Sequence, residues 1–371
     1  MLFLRYLSME NQTYLSLLYS NKMKKRCIFA KRIYISVYKT KQNIKNVKLK
    51  NIFFYFFMLL PLFATAQSGD NAFNFLRLPY SSRVAGLGGS NITVIENDIT
   101  LAMHNPALLI NVSDKTINLN YMSYMNDSKL AGAAFSKSFG ERSIGAISVR
   151  YVDYGDFEGY TEDNVYTGSF SAKDIDMAVT YSYLLSNHWS GGVSGRFIYS
   201  KYETLSAIAL GVDLGINYYN PDKEFSASFV LKNLGAQVKA FEDKNEKLPI
   251  DVQIGISKKL PHAPIRISLT LTNLHKWGKD DFYNADGSED STSDILLKHI
   301  VIGADALLGK NFYASLGYNF RMSKELSAGD SKWDGLSFGA GLNINKVKFG
   351  ASYSKLHVSS SSFLFNLSYS L

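Results

Sequence analysis

Phe363-Leu364-Phe365-Asn366-Leu367-Ser368-Tyr369-Ser370-Leu371 closes the chain in strict alternation. Phe363, Phe365, Leu367, Tyr369 and Leu371 share one face, and Leu364, Asn366, Ser368 and Ser370 share the other. Successive side chains of a strand point to opposite sides, so this stretch reads as a β-strand between an apolar medium and a small, polar one. Earlier stretches repeat the pattern. Phe312, Ala314, Leu316, Tyr318 and Phe320 oppose Ser315, Gly317, Asn319 and Arg321, and Leu336, Phe338, Ala340 and Leu342 oppose Ser337, Gly339, Gly341 and Asn343. A soluble sandwich also alternates. Consecutive strands of roughly ten residues, each with its bulky side opposed to Gly, Ser and Asn, are what a transmembrane β-barrel requires.

Working back from the C-terminus to Thr116, the alternation predicts strands near 116–124, 129–138, 143–152, 174–184, 188–200, 206–219, 224–233, 250–259, 264–274, 297–307, 311–322, 334–344, 347–355 and 362–371. The fold class is therefore all-β, a 14-stranded antiparallel transmembrane barrel over 114–371. Connection lengths support it independently. Those after even strands are tight: Phe139 to Arg142, Leu185 to Asn187, Asn220 to Lys223, Leu260 to Ala263, Leu308 to Lys310, and Asn345-Lys346. Long ones follow odd strands: Asp153 to Lys173, Gly235 to Pro249, His275 to Leu296 and Ser323 to Trp333. Outer-membrane barrels segregate short turns and long loops to opposite rims; a periplasmic β-sandwich has no reason to. Pro221, Pro249, Pro261 and Pro264 fall in connections or at a strand start, where no ladder donor is lost. Tyr181, Tyr183, Tyr199, Tyr218 and Tyr219 gather near strand ends, as interfacial girdles do. Arg196, Lys232, Asp251, Arg266, Arg321 and Lys348 fall on the polar face and are expected to line the lumen.

The formal charge of +8 belongs to the start of the chain. Residues 1–66 hold 12 Lys and Arg against Glu10 alone, leaving 28 basic and 31 acidic residues downstream, a net charge of −3. That balance excludes the basic footprint of a nucleic-acid binder. Lys45, Lys48 and Lys50 precede the apolar run Ile52 to Phe63, which ends in Ala64-Thr65-Ala66. A basic region, a short apolar core and small residues at A-x-A spacing make a signal peptide over 1–66, cleaved after Ala66. Its basic part is longer than export needs, which points to a translation start downstream of Met1. Cys27, the only cysteine, lies in the discarded part.

Residues 67–113 do not alternate. Ser81 is placed to cap a short helix ended by Gly88 and Gly89, and Asn105 to cap a second with Pro106 at its first position. No strand feeds the glycines and no βαβ unit follows, so they are not a phosphate loop. The apolar groups of this partly helical segment need burial, and the expectation is an N-terminal plug, or hatch, inside the lumen, with Arg83, Asn105, Pro106, Arg196, Arg266 and Arg321 among the plug and lumen residues.

Phe75-Leu76-Arg77-Leu78-Pro79-Tyr80-Ser81-Ser82-Arg83, Ala85-Gly86-Leu87-Gly88-Gly89 and Asn105-Pro106-Ala107-Leu108-Leu109, in this order ahead of a barrel, resemble the PorV/PorQ family of Bacteroidota outer-membrane proteins, relatives of the FadL-like barrels. Within that family the likeness is greatest to the PorQ-type members. The resemblance implies an outer-membrane component of the type IX protein secretion system with no cofactor. It also implies a PorZ-like surface protein as partner, alongside PorU and PorV. The relation to FadL implies an alternative, transport of hydrophobic small molecules. Ile198 and Val230 interrupt the polar face, too few for an apolar pocket.

No catalytic set is legible. The six histidines are scattered, no G-x-S-x-G elbow occurs, and no metal site is indicated. The acidic loop of Asp280, Asp281, Asp286, Glu289, Asp290 and Asp294 lacks EF-hand spacing, with Phe282 where the first carboxylate belongs. The expectation is a non-enzymatic barrel whose long outer loops dock the partner through aromatic anchors. These are Tyr154, Phe157, Tyr160 and Tyr166 on one loop, and Trp277, Phe282 and Tyr283 on a neighbouring one.

Overall fold

Each run of alternation from Thr116 onward is a strand in the computed structural model, which describes residues 72–371 apart from 126–127, 162, 243–244, 283–289, 310, 327–333 and 358–359. The signal peptide expected over 1–66 lies outside the described residues. The strands are β1 (Thr116–Ser123), β2 (Lys129–Ser138), β3 (Ser143–Tyr160), β4 (Tyr166–Leu184), β5 (Trp189–Tyr202), β6 (Leu205–Asn220) and β7 (Phe225–Lys239). They continue with β8 (Asp251–Lys259), β9 (Ile265–Leu271), β10 (Ile300–Leu308), β11 (Phe312–Asn319), β12 (Leu336–Ile344), β13 (Val347–His357) and β14 (Ser360–Ser370). Every neighbour pair is antiparallel, and β14 closes the cylinder on β1, running from Thr116↔Ser370 to Ser123↔Phe363.

The two faces are those read from the closing stretch. Phe363, Phe365, Leu367 and Tyr369 point outward and are 40–47% exposed, while Leu364, Asn366 and Ser368 are buried inside. Ile147, Val179, Phe197, Leu210, Ile254, Phe338 and Phe349 continue the outer apolar surface around the barrel. Among the described residues no helix is long and apolar enough to cross a membrane. This is the architecture of an outer-membrane barrel.

Turns and loops segregate as their parity predicts. Gly140, Gly309 and Asn345 hold positive φ in the tight connections, and at the same rim the Leu371 N–H donates to Lys115 O (3.2 Å). The opposite, loop rim departs from expectation in three places. Most of Asp153 to Lys173 is ladder rather than loop, continuing past a register shift to Tyr160↔Tyr166. Phe157 stacks on Phe170 at 5.5 Å and Tyr160 meets Tyr166 edge-on at 5.7 Å, cross-strand pairs that outweigh the glycines and acids of the segment. β7 likewise runs beyond Gly235 to Lys239. β11 stops at Asn319, where a helix Phe320–Leu326 begins, so Phe320 and Arg321 are not strand residues. The Asn319 side chain accepts from Met322 N–H (3.1 Å) and turns the chain out of the ladder.

Candidate functional site

The lumen is filled by residues 72–113, which belong to no strand. Asn74–Arg77 forms a 3-10 turn. Helix Ser82–Gly86 follows with Ser81 as N-cap, and Leu87 and Gly89 N–H groups close its end on Val84 O. Gly88 and Gly89, at φ 96° and 81°, then reverse the chain, which few other residues do without strain. The Asn91 carboxamide accepts from Thr93 and Val94 N–H (3.0 and 3.1 Å), and Asp98 caps helix Ile99–Ala102. Asn105 caps the 3-10 turn Pro106–Asn111: its Oδ1 accepts from Ala107 N–H (3.0 Å) while its Nδ2 donates to Ile92 O (2.8 Å).

The segment passes through the barrel from rim to rim. Ala72 N–H donates to Lys247 O (3.1 Å), in the β7–β8 connection at the loop rim. Just below, Phe73, Phe75 and Leu76 pack with Met122, Leu130, Val152, Ile198, Leu248 and Leu364, against Tyr154 and Phe241. At the turn rim Ile99, Ala102, Leu109 and Val112 pack against Ala134, Ile144 and Ala146 of β2 and β3. Between these ends hydrogen bonds join plug to wall. Asn366 Oδ1 accepts from Ser82 N–H and its Nδ2 donates to Tyr80 O; Ser337 Oγ accepts from Gly88 N–H (2.8 Å); Asn319 Nδ2 donates to Gly88 O (2.9 Å). Ser257 Oγ donates to Thr93 O (3.2 Å), Ser182 and Ser190 donate to Ala107 O, and Lys348 Nζ donates to Asn97 O.

Two ion networks complete the filling. Arg83 lies 3.5 Å from both Glu96 and Asp305 and 3.9 Å over the Tyr313 ring, while Arg266 pairs with the same Glu96 (3.1 Å) and Asp305 (2.6 Å). Deeper around the lumen Arg196 pairs with Asp176 and with Asp213 (3.0 Å), and Arg150 reaches from Asp176 (3.2 Å) to Leu78 O of the plug (3.1 Å). The cavity left beside this second network holds about 10 Å³, room for roughly one water molecule, and is lined by Tyr80, Arg150, Asp176, Thr180, Ser194 and Arg196 among others. His104 in the plug accepts from Tyr80 N–H at Nε2 (3.1 Å), and burial pushes its pKa well below the ordinary 6.5, keeping it neutral.

The expected plug and lumen residues meet, with one exception. Arg83, Asn105, Pro106 and Arg266 lie at plug-to-wall contacts, and Arg196 joins β4 and β6 of the wall through Asp176 and Asp213. Arg321 is corrected: it sits on the helix after β11, paired with Glu325 one turn on (2.7 Å), because the chain has already left the sheet. The acids that hold the arginines, Asp176, Asp213 and Asp305, were not singled out by sequence. Their signal is an aspartate on the inward phase of an alternating strand, as in Asp174-Ile175-Asp176-Met177.

The aromatic anchors divide. Phe157, Tyr160, Tyr166 and Trp277 are exposed at the loop rim. Tyr154 turns inward, its hydroxyl donating to Asp174 Oδ2 (2.6 Å), and Phe282 is buried edge-on to His299 at 5.3 Å. Both are unavailable as anchors because each is engaged inside the fold. Tyr283 lies outside the described residues. The two loops are not neighbours either: strands follow sequence order around the barrel, so the β3–β4 hairpin and the β9–β10 connection stand five strands apart or more. The described part of the latter holds helix Thr292–Lys298, capped by Ser291, and a buried Lys298–Asp290 pair (2.7 Å).

No protein-family model matches the sequence, and no curated protein matches it. Solved structures do. The toluene transporter TodX of Pseudomonas putida is similar with a TM-score of 0.51 at 12% identity, over 78% of this chain and 97% of that one. The toluene transporter TbuX of Ralstonia pickettii gives 0.48 at 12% identity over 79% and 98%, and a FadL homologue of Pseudomonas aeruginosa 0.45 at 11% over 78% and 97%. At such identity the likeness to TodX shows a FadL-like barrel fold.

Proposed function

We propose that this chain is a non-enzymatic outer-membrane barrel that holds a protein partner at the cell surface. In the reading implied by the PorV/PorQ resemblance it is a component of the type IX protein secretion system, retaining a PorZ-like protein alongside PorU and PorV. The observation that carries the proposal is the filled lumen: a plug bonded to the wall, with a cavity of about 10 Å³ beside the Arg196 network. A hydrophobic solute of drug-like size needs a largely apolar pocket tens of times larger. A holder needs only a rigid wall and loops that reach beyond it.

The second reading is transport of hydrophobic small molecules, and the solved structures back it better than they back anchoring, since TodX is described as a toluene transporter. The feature that favours it here is the apolar cluster of Phe73, Phe75, Leu76 and Ile198 beneath Phe241, packed in this structure but placed where a solute entering from the loop rim would arrive.

One experiment separates the two. Cells carrying the protein with the β3–β4 hairpin shortened to a turn, or with residues 276–296 shortened, are assayed for release of cell-surface proteins into the medium and for uptake of labelled toluene and oleate. Release with unchanged uptake is the expected result; loss of uptake with the surface proteins retained overturns anchoring in favour of transport.

A further inference from the structure

β3 and β4 leave the barrel together as a two-stranded ribbon. The ladder between β2 and β3 ends at Lys129↔Asp153, and that between β4 and β5 ends at Ala172↔Tyr202, yet β3 and β4 stay paired out to Tyr160↔Tyr166. Among the described residues, Tyr154 to Tyr160 therefore have no strand neighbour on the β2 side. Tyr154 and Gly155 form a bulge, with Gly155 at φ 83° and its N–H donating to Asp153 Oδ1 (3.1 Å); beyond it the outward N–H and C=O groups of Asp156 to Tyr160 form an open edge about 13 Å long at ~3.3 Å per residue. Isolated two-stranded ribbons are marginal in water, and open edges invite a further strand. Aromatic pairs hold this one together: Phe157 on Phe170 on one face, and Tyr160 against Tyr166 with the Tyr160 hydroxyl donating to Glu158 Oε2 (2.7 Å) on the other.

The charge along this edge identifies what it accepts. Between Tyr151 and Ala172 the sequence carries Asp153, Asp156, Glu158, Glu162 and Asp163 and not one Lys or Arg. Asp156 and Glu158 are exposed and two residues apart, so both project from the same face of β3, opposite Ser171 and Ser169. A second copy of this chain would set acid against acid, which guards the edge against self-pairing. An extended segment with Lys or Arg at alternate positions would set opposite charges across the new ladder and add its backbone hydrogen bonds.

We propose that the free edge of β3, Asp156 to Tyr160, accepts an extended, alternately basic segment of the surface partner as an added antiparallel or parallel strand. The inference rests on the anchoring reading above and specifies its contact. The aromatic pairs stiffen the ribbon, and the acidic face of Asp156 and Glu158 selects the strand.

The test uses the full-length protein in lipid nanodiscs and three fluorescent heptapeptides: alternating Lys and Val, alternating Glu and Val, and the Lys–Val peptide N-methylated at alternate residues to block one hydrogen-bonding edge. The Lys–Val peptide is expected to bind at least about tenfold more tightly than either of the others, and Asp156→Lys with Glu158→Lys to reverse the preference between Lys and Glu. Equal binding of the N-methylated peptide, or indifference to the double substitution, overturns strand addition at this edge. Both positions are solvent-exposed, and heat-modifiable gel migration checks that the variant assembles. In cells, loss of surface proteins from the double variant alone supports the inference. Their retention by the variant overturns it while leaving anchoring intact, and their absence from the wild-type barrel overturns anchoring itself.

Discussion

Pro106 and Gly192 are packed so closely that a β-carbon at Gly192 would overlap the Pro106 carbonyl group, and one at Gly215 would overlap Asn105 Oδ1. The capped turn of the plug thus lies against bare backbone of β5 and β6. Around the lumen the same holds for Gly317 and Gly339, which meet Gly88 and Gly86 of the plug. Wall and plug fit because these positions carry no side chain.

Gly192→Val is therefore expected to unseat the Pro106 turn, at a cost of about 1–3 kcal/mol as for other overpacked interiors. Gly195→Val, on the same strand but with open space around it, is expected to stay within about 0.5 kcal/mol of wild type. Urea unfolding in lipid vesicles measures both. Single-channel conductance in a planar bilayer gives a second readout, rising for the first variant and unchanged for the second.

Arg196 neutralises two buried carboxylates, Asp176 and Asp213. Truncation by Arg196→Ala leaves both without their main counter-charge, and breaking a buried pair from one side costs about 3–5 kcal/mol. Adding Asp213→Asn to that variant is expected to restore part of the loss, because one of the stranded charges is then removed. Unfolding midpoints of the wild type, the two single variants and the double variant check it; additive losses would mean that the pair is not coupled.

His104 gives the plug a pH dependence whose sign follows from its burial. In the folded chain the imidazole is held neutral well below its ordinary 6.5, first by burial and then by the cations Lys232, Arg150 and Arg196. The unfolded chain binds a proton at the ordinary value, so unfolding takes up a proton as pH falls through 6.5. Its contribution is thus fully present above that pH and is lost below it, by up to about 1.4 kcal/mol per pH unit. His104→Gln keeps an acceptor for Tyr80 N–H and removes the titration. Between pH 7 and about 5 the wild type is expected to lose more stability than this variant, and parallel curves would show that His104 does not carry the effect.

What was legible in the sequence and what was not divide along one physical line. The closing strand, the 14 runs and the parity of connections were legible because the two-residue period of a strand writes each inner and outer face locally. The seating of the plug was not. It depends on Gly192, Gly317 and Gly339, residues whose meaning is the absence of a side chain, facing partners far away in sequence. Arg321 failed for a local reason: the alternation Leu316, Tyr318, Phe320 runs on past Asn319, where the backbone has already turned helical. Phe282 and Tyr154 failed because composition marks an aromatic but not whether a cation, a histidine or a carboxylate has drawn it inside.

Phe365 tests whether the outer face meets lipid. It stands on β14 opposite Tyr121 of β1 and Ala351 of β13, 40% exposed, while its neighbours Leu364 and Asn366 point into the lumen. In water an exposed apolar residue can be replaced by arginine at little cost, within about 0.5 kcal/mol. In a bilayer the same change places a cation in hydrocarbon and costs about 2–4 kcal/mol near the midplane, falling toward the rims. Phe365→Arg is therefore expected to lower stability by about that amount in vesicles and to slow assembly seen by heat-modifiable migration, while Phe365→Ile leaves both near wild type. The bilayer also predicts a dependence on position that water does not: Tyr369→Arg, four residues nearer the turn rim on the same face, should cost less than Phe365→Arg. Equal and small effects at the two positions would mean that this face is solvated and that the barrel does not span a membrane.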